Sequence, residues 1–246
     1  MIPKKIHYCW FGGNPLPPLA EKCIASWERY CPDYQIIRWD ESNYDCSKHP
    51  YMRKAYARKK FAFVADYARM DIVYNHGGIY LDTDVELLKN LDDFLDNDFY
   101  IGFEKSEYIN SGLGLGATQG HAVLKDFLDK YDSVVLTEDF SFTPCPMLES
   151  KILQDKYNLK NDTGDIQYLT DDITIYPQEF FCPLDEDNNG SISKNTVSIH
   201  HFSATWVPWH WKFMRFVEKR SQRLLGPGFT EMLRKAKRIF IPPPKA

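Results

Sequence analysis

The sequence is poor in the features that assign a chain to a class at once. It has no low-complexity tract and no repeat of fixed period, which argues against solenoids and disordered scaffolds. Its longest unbroken apolar run is residues 61–65, well short of the roughly 20 residues that cross a bilayer. The first residues also lack the long apolar stretch of a signal peptide. These absences predict a cytoplasmic protein.

The six cysteines form no C-x-x-C pair and no zinc-finger spacing. In a cytosolic protein such cysteines are ordinarily reduced thiols, because the compartment keeps them so. We therefore expect neither disulfides nor a structural zinc site.

Charge is distributed unevenly along the chain. Residues 212–246 carry ten Lys or Arg against two Glu, a balance of +8, whereas residues 1–211 carry 20 basic and 32 acidic side chains, a balance of −12. This charge distribution does not predict a fold, but it affects which partners the chain can bind. We take residues 1–211 as the main domain and residues 212–246, the basic tail, as a separate segment.

The hydrophobic pattern alternates between strand-like and helical stretches, which predicts an α/β fold with a mostly parallel, doubly wound sheet flanked by helices. In such sheets ligands bind at the carboxyl ends of the strands. Helices are predicted over 19–29, 51–75, 121–131 and 147–159, and strands over 6–10, 34–39, 79–81, 99–104, 112–117, 173–176 and 197–202.

The strongest chemical signal is Asp82-Thr83-Asp84, which follows Gly77-Gly78 and a short apolar strand. Two carboxylates one residue apart can hold a hard divalent cation that keeps positions open for phosphate oxygens. An Asp-x-Asp alone is weak, because turns favour aspartate. The double glycine and the buried strand before it strengthen the case for a metal and phosphate site.

Several motifs occur together in a fixed order. Ala65-Asp66-Tyr67-Ala68-Arg69, then Gly77-Gly78, then Tyr80-x-Asp82-x-Asp84 resemble the DXD-containing glycosyltransferases. That group includes the yeast initiating α-1,6-mannosyltransferase, bacterial capsular-polysaccharide transferases and the glucosyltransferase domain of large clostridial toxins. Residues 6–13 and His201-x-x-x-Thr205-Trp206 are similar to the same group.

The resemblance implies a GT-A type fold and a metal-dependent enzyme using Mn²⁺ or Mg²⁺. It also implies retaining transfer of a hexose from a nucleotide-sugar donor, with UDP-hexose favoured. The acceptor would be a glycan or a lipid-linked saccharide in polysaccharide biosynthesis. Two departures stand out: relatives often carry serine where this chain has Ala65, and the C-terminal motif is one residue longer to Trp206 than in the toxins.

Roles for individual residues are also implied by the resemblance. Trp10 would stack on the donor base, Asp66 and Arg69 would grip the sugar and diphosphate, and Trp206 would bond the leaving phosphate. The implied catalytic residues are Asp82, Asp84, Arg69 and Trp206. The implied donor-binding residues are Trp10, Asp66, Arg69, Tyr80, Asp82 and Asn110, and the implied metal ligands are Asp84, His201 and Ser203.

Each of these residues also has a structural explanation. Asp66 and Arg69 lie three apart on a helix, where a surface ion pair contributes about 0.3–0.5 kcal/mol. Trp10 fits a core position equally well, since tryptophan is highly buried on average. His200 and His201 alternate faces if they lie on a strand, so at most one of them faces the site.

Residues of the basic tail fall into two apolar stripes flanked by Lys and Arg, separated by Gly226-Pro227-Gly228. Two ordinary packed helices would give this pattern. Peripheral binding to an anionic membrane surface would also give it, since each basic residue near such lipid contributes about 1 kcal/mol. Nucleic acid is not expected as a partner, because the rest of the chain is acidic and has no binding motif.

Two other functions compete with a transferase. Residues 79–85 also match the strand-DxDx[TV] motif of haloacid-dehalogenase-like phosphatases, but those enzymes place the motif on their first strand. A sugar-nucleotide sensor or lectin that keeps the pocket without turnover is the non-enzymatic alternative.

Overall fold

The computed structural model of the chain describes residues 1–134, 145–170 and 172–203. The basic tail and Trp206 lie outside these residues, so the predictions made for them stay predictions. None of the helices in the described ranges is long and apolar enough to span a membrane.

The described chain begins with alternating strands and helices and then runs through five successive strands over 78–117, interrupted only by a 3₁₀ turn at Asp92–Phe94. The helices are α1 (Pro18–Tyr30), α2 (Pro50–Ala57), α3 (Phe61–His76), α4 (Ala122–Tyr131), α5 (Cys145–Tyr157) and α6 (Gln178–Phe181). The strands are β1 (Lys5–Cys9), β2 (Gln35–Trp39), β3 (Gly78–Tyr80), β4 (Val85–Leu87), β5 (Phe99–Lys105), β6 (Tyr108–Ile109), β7 (Leu115–Ala117), β8 (Gln167–Thr170), β9 (Ile173–Tyr176) and β10 (Ser198–His200).

The main sheet has the strand order β2-β1-β3-β7-β5-β9-β8, with β6 paired to β5. Strand β1 is parallel to β2 and β3, and β5 is parallel to β9. Strand β7 lies antiparallel between β3 and β5, so these two neighbours run in the same direction. Five strands therefore end at one edge, and the predicted α/β fold with a mostly parallel sheet flanked by helices is confirmed, with β6, β7 and β8 reversed.

The central strands are buried along nearly their whole length. Every residue of β9 is buried, as are four of the five residues of β1 and the first five of β5. Continuous apolar strands of this kind are typical of a sheet covered by helices on both faces. The largest fully buried side chains include Trp27, Tyr80, Tyr100 and Phe181.

The single helix predicted over 51–75 is wrong, because the chain breaks there into α2 and α3. Lys59 adopts a left-handed conformation at φ +56°. The amides of Lys59 and Lys60 bond back to the carbonyls of Tyr56 and Ala55, both at 2.9 Å, which closes α2 as a Schellman motif does. The helical spacing of the apolar residues continues across this break, so the pattern did not reveal it.

The turn between α3 and β3 is built from two glycines, Gly77 and Gly78. Gly77 and Gly78 have φ of +61° and +113°, in a region that favours glycine. The ring nitrogen Nε2 of His7 bonds to the carbonyl oxygen of Gly77 at 2.8 Å. A Cβ on Gly78 would lie only 2.8 Å from that same nitrogen. The turn thus places β3 directly beside β1 and directs the chain toward Asp82.

The predicted strand at 197–202 is present as β10, but it joins a separate two-stranded sheet. Strand β10 pairs antiparallel with β4, which begins immediately after Asp84. The amide of His201 donates to the carbonyl oxygen of Asp84 at 2.9 Å and extends this pairing. The motif near residue 200 is thereby held against the Asp-x-Asp motif.

Candidate functional site

The site lies where β1 and β3 end side by side. The amide of Leu81 donates to the carbonyl oxygen of His7 at 3.1 Å, just beyond the last ladder pair of β1 and β3. The amide of Asp82 then donates to the carbonyl oxygen of Gly112 at 2.8 Å. The segment 110–112, the Asn-Ser-Gly turn, therefore joins Asp82 at the carboxyl edge of the sheet.

Arg69 is the central side chain of the site. Its Nη2 atom lies 3.0 Å from an oxygen of Asp66 and 3.3 Å from an oxygen of Asp82. Its Nη1 atom is 3.4 Å from the hydroxyl of Ser111. The guanidinium also lies over the ring of Tyr80, 5.1 Å from the ring centroid. One cation thus connects α3, β3 and the Asn-Ser-Gly turn.

The Asp66–Arg69 pair is not a surface ion pair, because the exposed fractions of the two side chains are 14% and 5%. Burial raises the pKa of Asp66 to about 6, although the neighbouring Arg69 charge opposes that shift. Burial also acts against the charge on Arg69, but Asp82 and Tyr80 outweigh it and hold the pKa of Arg69 above its usual value. The cluster carries buried charge that a purely structural role does not require.

Gly112 packs directly against the two central charged side chains. A Cβ at this position would lie 2.0 Å from Oδ2 of Asp82 and 3.0 Å from Nη1 of Arg69. The residue is glycine because the turn approaches the site too closely for a side chain. Gly112 lies in a turn before β7, where the backbone itself forms part of the site.

Asn110, predicted to bind the donor, braces this turn. Its Oδ1 accepts from the amide of Gly112 at 2.7 Å, and its Nδ2 donates to the carboxylate of Glu104. Tyr80, also predicted to bind the donor, is buried and donates its hydroxyl to Asp82 at 3.2 Å. Both residues hold other groups of the site in place.

Trp10 follows β1 directly at the same edge. Its indole nitrogen donates to the carbonyl oxygen of Asn14 at 2.7 Å, and the ring is partly buried against the core. The preceding residue, Cys9, is buried, which raises the pKa of its thiol, and its electrostatic neighbours include Arg69 and Asp82. Trp10 is thus partly buried at the carboxyl end of β1, next to a residue that interacts with Arg69 and Asp82.

The imidazole next to Asp84 belongs to His200. Its Nε2 atom lies 3.4 Å from Oδ1 of Asp84. Burial acts against a charged ring, but the bonds to Asp84 and Cys182 outweigh it and raise the pKa of His200 to about 10. A cation held at Asp84 would displace that proton, because a ligating histidine must be neutral.

His201, the predicted metal ligand, points to the other side of β10. Its Nε2 atom lies 2.8 Å from Oε2 of Glu86, which also pairs with Lys22 at 2.7 Å. Burial acts against ionisation of Glu86, yet Lys22 and His201 together lower its pKa. Ser203, the other predicted ligand, follows two residues later and is partly buried.

The donor atoms at Asp84 are compatible with a divalent cation in type. A carboxylate and an imidazole suit Mn²⁺, and a carboxylate suits Mg²⁺. Among the described residues no three His, Cys, Asp or Glu side chains are grouped closely enough to hold a metal alone.

Sequence reasoning missed Glu149, which is fully buried on α5 beneath the site. Its two carboxylate oxygens accept from the amide and the hydroxyl of Ser111, at 3.1 Å and 2.8 Å. A signal was present, because Glu149 lies four residues after Cys145 and three before Ile152, on the buried face of the helix.

Comparison with known proteins gives a family match over part of the chain. Residues 17–100 match the model of the glycosyltransferase sugar-binding region containing a DXD motif. This segment includes Asp66, Arg69, Tyr80, Asp82 and Asp84. The resemblance to DXD-containing glycosyltransferases is confirmed.

Individual relatives extend the similarity beyond that segment. An uncharacterized glycosyltransferase, L373, of Acanthamoeba polyphaga mimivirus is 28% identical over 227 residues, covering 85% of each chain. Inositol phosphoceramide mannosyltransferase 3 of Schizosaccharomyces pombe is 31% identical over 131 residues, covering 50% of this chain and 35% of the relative. Among solved structures, the PaToxG glycosyltransferase has a TM-score of 0.49 at 16% identity, covering 64% of this chain and 70% of that one.

Proposed function

We propose that this chain, a glycosyltransferase by its DXD sugar-binding region, transfers a hexose from a nucleoside-diphosphate sugar to a glycan or a lipid-linked saccharide. UDP-hexose is the favoured donor, and the anomeric configuration is retained. The observation that carries the proposal is the buried Arg69 between Asp66 and Asp82 at the carboxyl edge of the sheet.

The carboxylates of Asp66 and Asp82 suit the hydroxyls of a sugar. Carboxylates accept hydrogen bonds, sugar hydroxyls donate them, and bonds of this kind to an ionised group are stronger than neutral ones. Arg69 fixes both carboxylates and supplies positive charge at the place where a diphosphate would leave. Gly112 lets the backbone of the turn lie directly against Asp82, where a Cβ would come within 2.0 Å of its Oδ2.

A divalent cation, Mn²⁺ or Mg²⁺, would be held by Asp84 together with His200 or His201 and with Ser203. When bound, it neutralises charge on the diphosphate leaving group. Trp206, which lies outside the described residues, is proposed to donate its indole N–H to the same phosphates. Trp10 is proposed to stack on the base, a contact that any base ring accepts.

No side chain of the described site is proposed as a covalent nucleophile. The acceptor hydroxyl attacks on the face from which the diphosphate departs, and a phosphate oxygen takes its proton. Most of the rate then comes from groups held in place before reaction, chiefly Arg69 and its carboxylates. The chemistry requires that water be kept from the donor until the acceptor has bound.

Calorimetric titration with UDP, GDP, UMP and CMP, in Mn²⁺ and again in EDTA, tests this proposal. We expect tight, cation-dependent binding of one nucleoside diphosphate. Asp84→Asn should abolish the dependence on Mn²⁺, whereas Asp155→Asn, the same change in an exposed ion pair with Lys151, should leave it intact. Folded protein that binds none of the four would contradict the transferase and favour the phosphohydrolase.

Turnover distinguishes the enzyme from a lectin or sensor. Asp84→Asn should abolish release of nucleoside diphosphate from the donor in a transferase, whereas a metal-independent lectin has no such activity to lose. A wild-type chain that binds the donor but releases no product with any glycan acceptor would favour the binding protein.

The basic tail, residues 212–246, is proposed to associate with an anionic membrane surface, where a lipid-linked acceptor would lie. Co-sedimentation with anionic vesicles should decline when this segment is deleted and when salt is raised. Full co-sedimentation of the deleted protein would contradict the proposal.

A further inference from the structure

Glu149 is a carboxyl group that the proposed mechanism does not use. It has no exposed surface, and burial raises its pKa to about 8 although Arg69 and Ser111 act in the opposite direction. Burying a carboxyl group is unfavourable unless its oxygens are fully hydrogen-bonded. A leucine or methionine at this helix position would avoid that cost, so the contacts of Glu149 require an explanation.

Both oxygens of Glu149 bind the same residue. Oε2 accepts from the amide of Ser111, and Oε1 accepts from its hydroxyl. The next residue of α5, Ser150, accepts from the amide of Ile109 at 2.9 Å. Helix α5 therefore holds the strand and turn at 109–111 by two adjacent side chains.

The residue that Glu149 holds is in contact with the central cation of the site. The hydroxyl of Ser111 donates to Glu149 and accepts from Nη1 of Arg69 at 3.4 Å. The next residue, Gly112, accepts from the amide of Asp82 and lies against its carboxylate. A shift of Ser111 would disturb Arg69 and Asp82 together, because Ser111 is bonded to Arg69 and the adjoining Gly112 is bonded to Asp82.

We infer that Glu149 is a positioning residue of the donor site, acting through Ser111 to fix Arg69 and Asp82. The inference rests on the proposed function, because it assigns Glu149 to the site where the donor sugar binds. Glu149 itself is buried beneath the turn and touches neither sugar nor phosphate.

Variants of the pair test whether Glu149 acts through Ser111. Glu149→Leu removes both bonds, and we expect it to lower kcat/KM for the donor about tenfold or more. Glu149→Gln keeps one acceptor oxygen and should restore part of that loss. In the double variant Glu149→Gln with Ser111→Ala, the loss should be smaller than the product of the two single losses, because both changes break one connection. A loss in the double variant equal to the product of the two single losses would contradict the inference.

Ser150→Ala is the matched control, since Ser150 is adjacent on α5, equally buried, and bonds the same segment at Ile109. We expect Ser150→Ala to lower the melting temperature without changing kcat or KM for the donor. If Ser150→Ala changes donor kinetics as much as Glu149→Gln does, the helix has only a structural role here.

A readout without turnover separates this inference from the proposed function. The guanidinium resonance of Arg69 in isotopically labelled protein, or a crystal structure of each variant, reports the position of Arg69 directly. Displacement of Arg69 in Glu149→Leu but not in Ser150→Ala supports the inference, and an unmoved Arg69 overturns it. This holds even if the wild-type chain binds no nucleoside diphosphate, the result that would remove the proposed function instead.

Discussion

Arg69 shows why the chemistry of a single residue matters at this site. Its planar guanidinium reaches Asp66, Asp82 and Ser111 at once and lies over the ring of Tyr80. A lysine ammonium is a compact point charge and has no flat face. The site therefore depends on the shape of the cation as well as on its charge.

Arg69→Lys is expected to lower kcat/KM for the donor about 10- to 150-fold. This corresponds to the loss of one hydrogen bond to a charged group, which contributes about 1.5–3 kcal/mol. Steady-state kinetics at several donor concentrations measures this. Arg29→Lys is the control, because Arg29 lies over the ring of Tyr30 at a similar distance of 5.4 Å on α1, away from Asp66 and Asp82. Equal kinetics for both variants would show that charge alone is sufficient at position 69.

Glu149→Gln is expected to change how stability depends on pH. The pKa of Glu149 is about 8 in the folded chain against 4.5 for an ordinary glutamate. At pH below the lower value the group is protonated in both the folded and the unfolded chain, so it contributes no difference. As pH rises from 4.5 toward 8, the unfolded chain ionises first, so the folded chain loses stability over this window.

Urea unfolding of both proteins through this pH window measures the effect. The free energy of unfolding of the wild type, relative to Glu149→Gln, should fall as pH rises. Other groups such as Asp66 are common to both proteins and cancel to first order. A difference that stays constant with pH would mean that Glu149 has an ordinary pKa when folded.

Residues near one another in sequence were those that the sequence located best. Asp66 and Arg69 lie on one helix and Asp82 lies just past the strand after it, so one short motif named all three as candidate site residues. The two-residue period of a strand showed that His200 and His201 face opposite sides, but not which side faces Asp84. Glu149 meets Ser111 across 38 positions, and no local pattern carries a contact of that range.

At the scale of elements, the turn from α3 to β3 determines where Asp82 and Asp84 lie. The turn needs glycine for two separate reasons, a positive φ at Gly78 and the close approach of His7. His7 donates to Gly77 through Nε2 and accepts from the indole of Trp39 through Nδ1 at 3.1 Å. Burial lowers the pKa of His7 to about 4, so the ring stays neutral in this role.

Gly78→Ala should destabilise the chain more than Gly120→Ala. Both residues have positive φ, which costs a non-glycine residue about 1–3 kcal/mol, but only Gly78 has neighbours within 4 Å of the added methyl group. The added crowding at Gly78 contributes about 1–3 kcal/mol more. Chemical denaturation of both variants measures the difference in the free energy of unfolding. Equal destabilisation would show that His7 and β1 move to accommodate the added methyl group without a measurable loss of stability.

Element boundaries were predicted well where local residues determine them and poorly where distant pairing does. Strand β9 was predicted with its observed bounds, and the predicted helix end at residue 75 lies one residue before the observed end of α3 at His76. The Schellman motif at Lys59 has no glycine to mark it. The short strands β4 and β6 were missed. Strand β4 is defined by its pairing with the distant strand β10, and β6 by a tight turn after β5.

At the scale of the whole molecule, the burial of the six cysteines shows how closely the described chain is packed around them. All six are free thiols, and five are buried, whereas Cys46 is partly exposed. Burial raises the pKa of Cys46 to about 11, with Glu41 and Asp45 adding to the shift. Even the accessible thiol is therefore mostly protonated at neutral pH and reacts slowly.

Native protein is expected to show one slowly reacting thiol toward a disulfide reagent, and six after denaturation. Absorbance of the released reagent counts the thiols. Cys46→Ser should abolish the native reaction and leave five in denaturant. Fast reaction of several thiols in native buffer would contradict the close packing of the sheet and its helices.

The pairing of β10 with β4 has a consequence for the order in which the protein is made. Strand β4 is synthesised together with the Asp-x-Asp motif, whereas its partner strand β10, which carries His200, comes later in the chain. At about 5–20 residues per second, the delay between the two strands is on the order of ten seconds. The main sheet does not contain β10, so it can form in the meantime without it. A nascent chain, or a fragment cut before Ser198, would therefore lack the imidazole beside Asp84 although all strands of its main sheet are present.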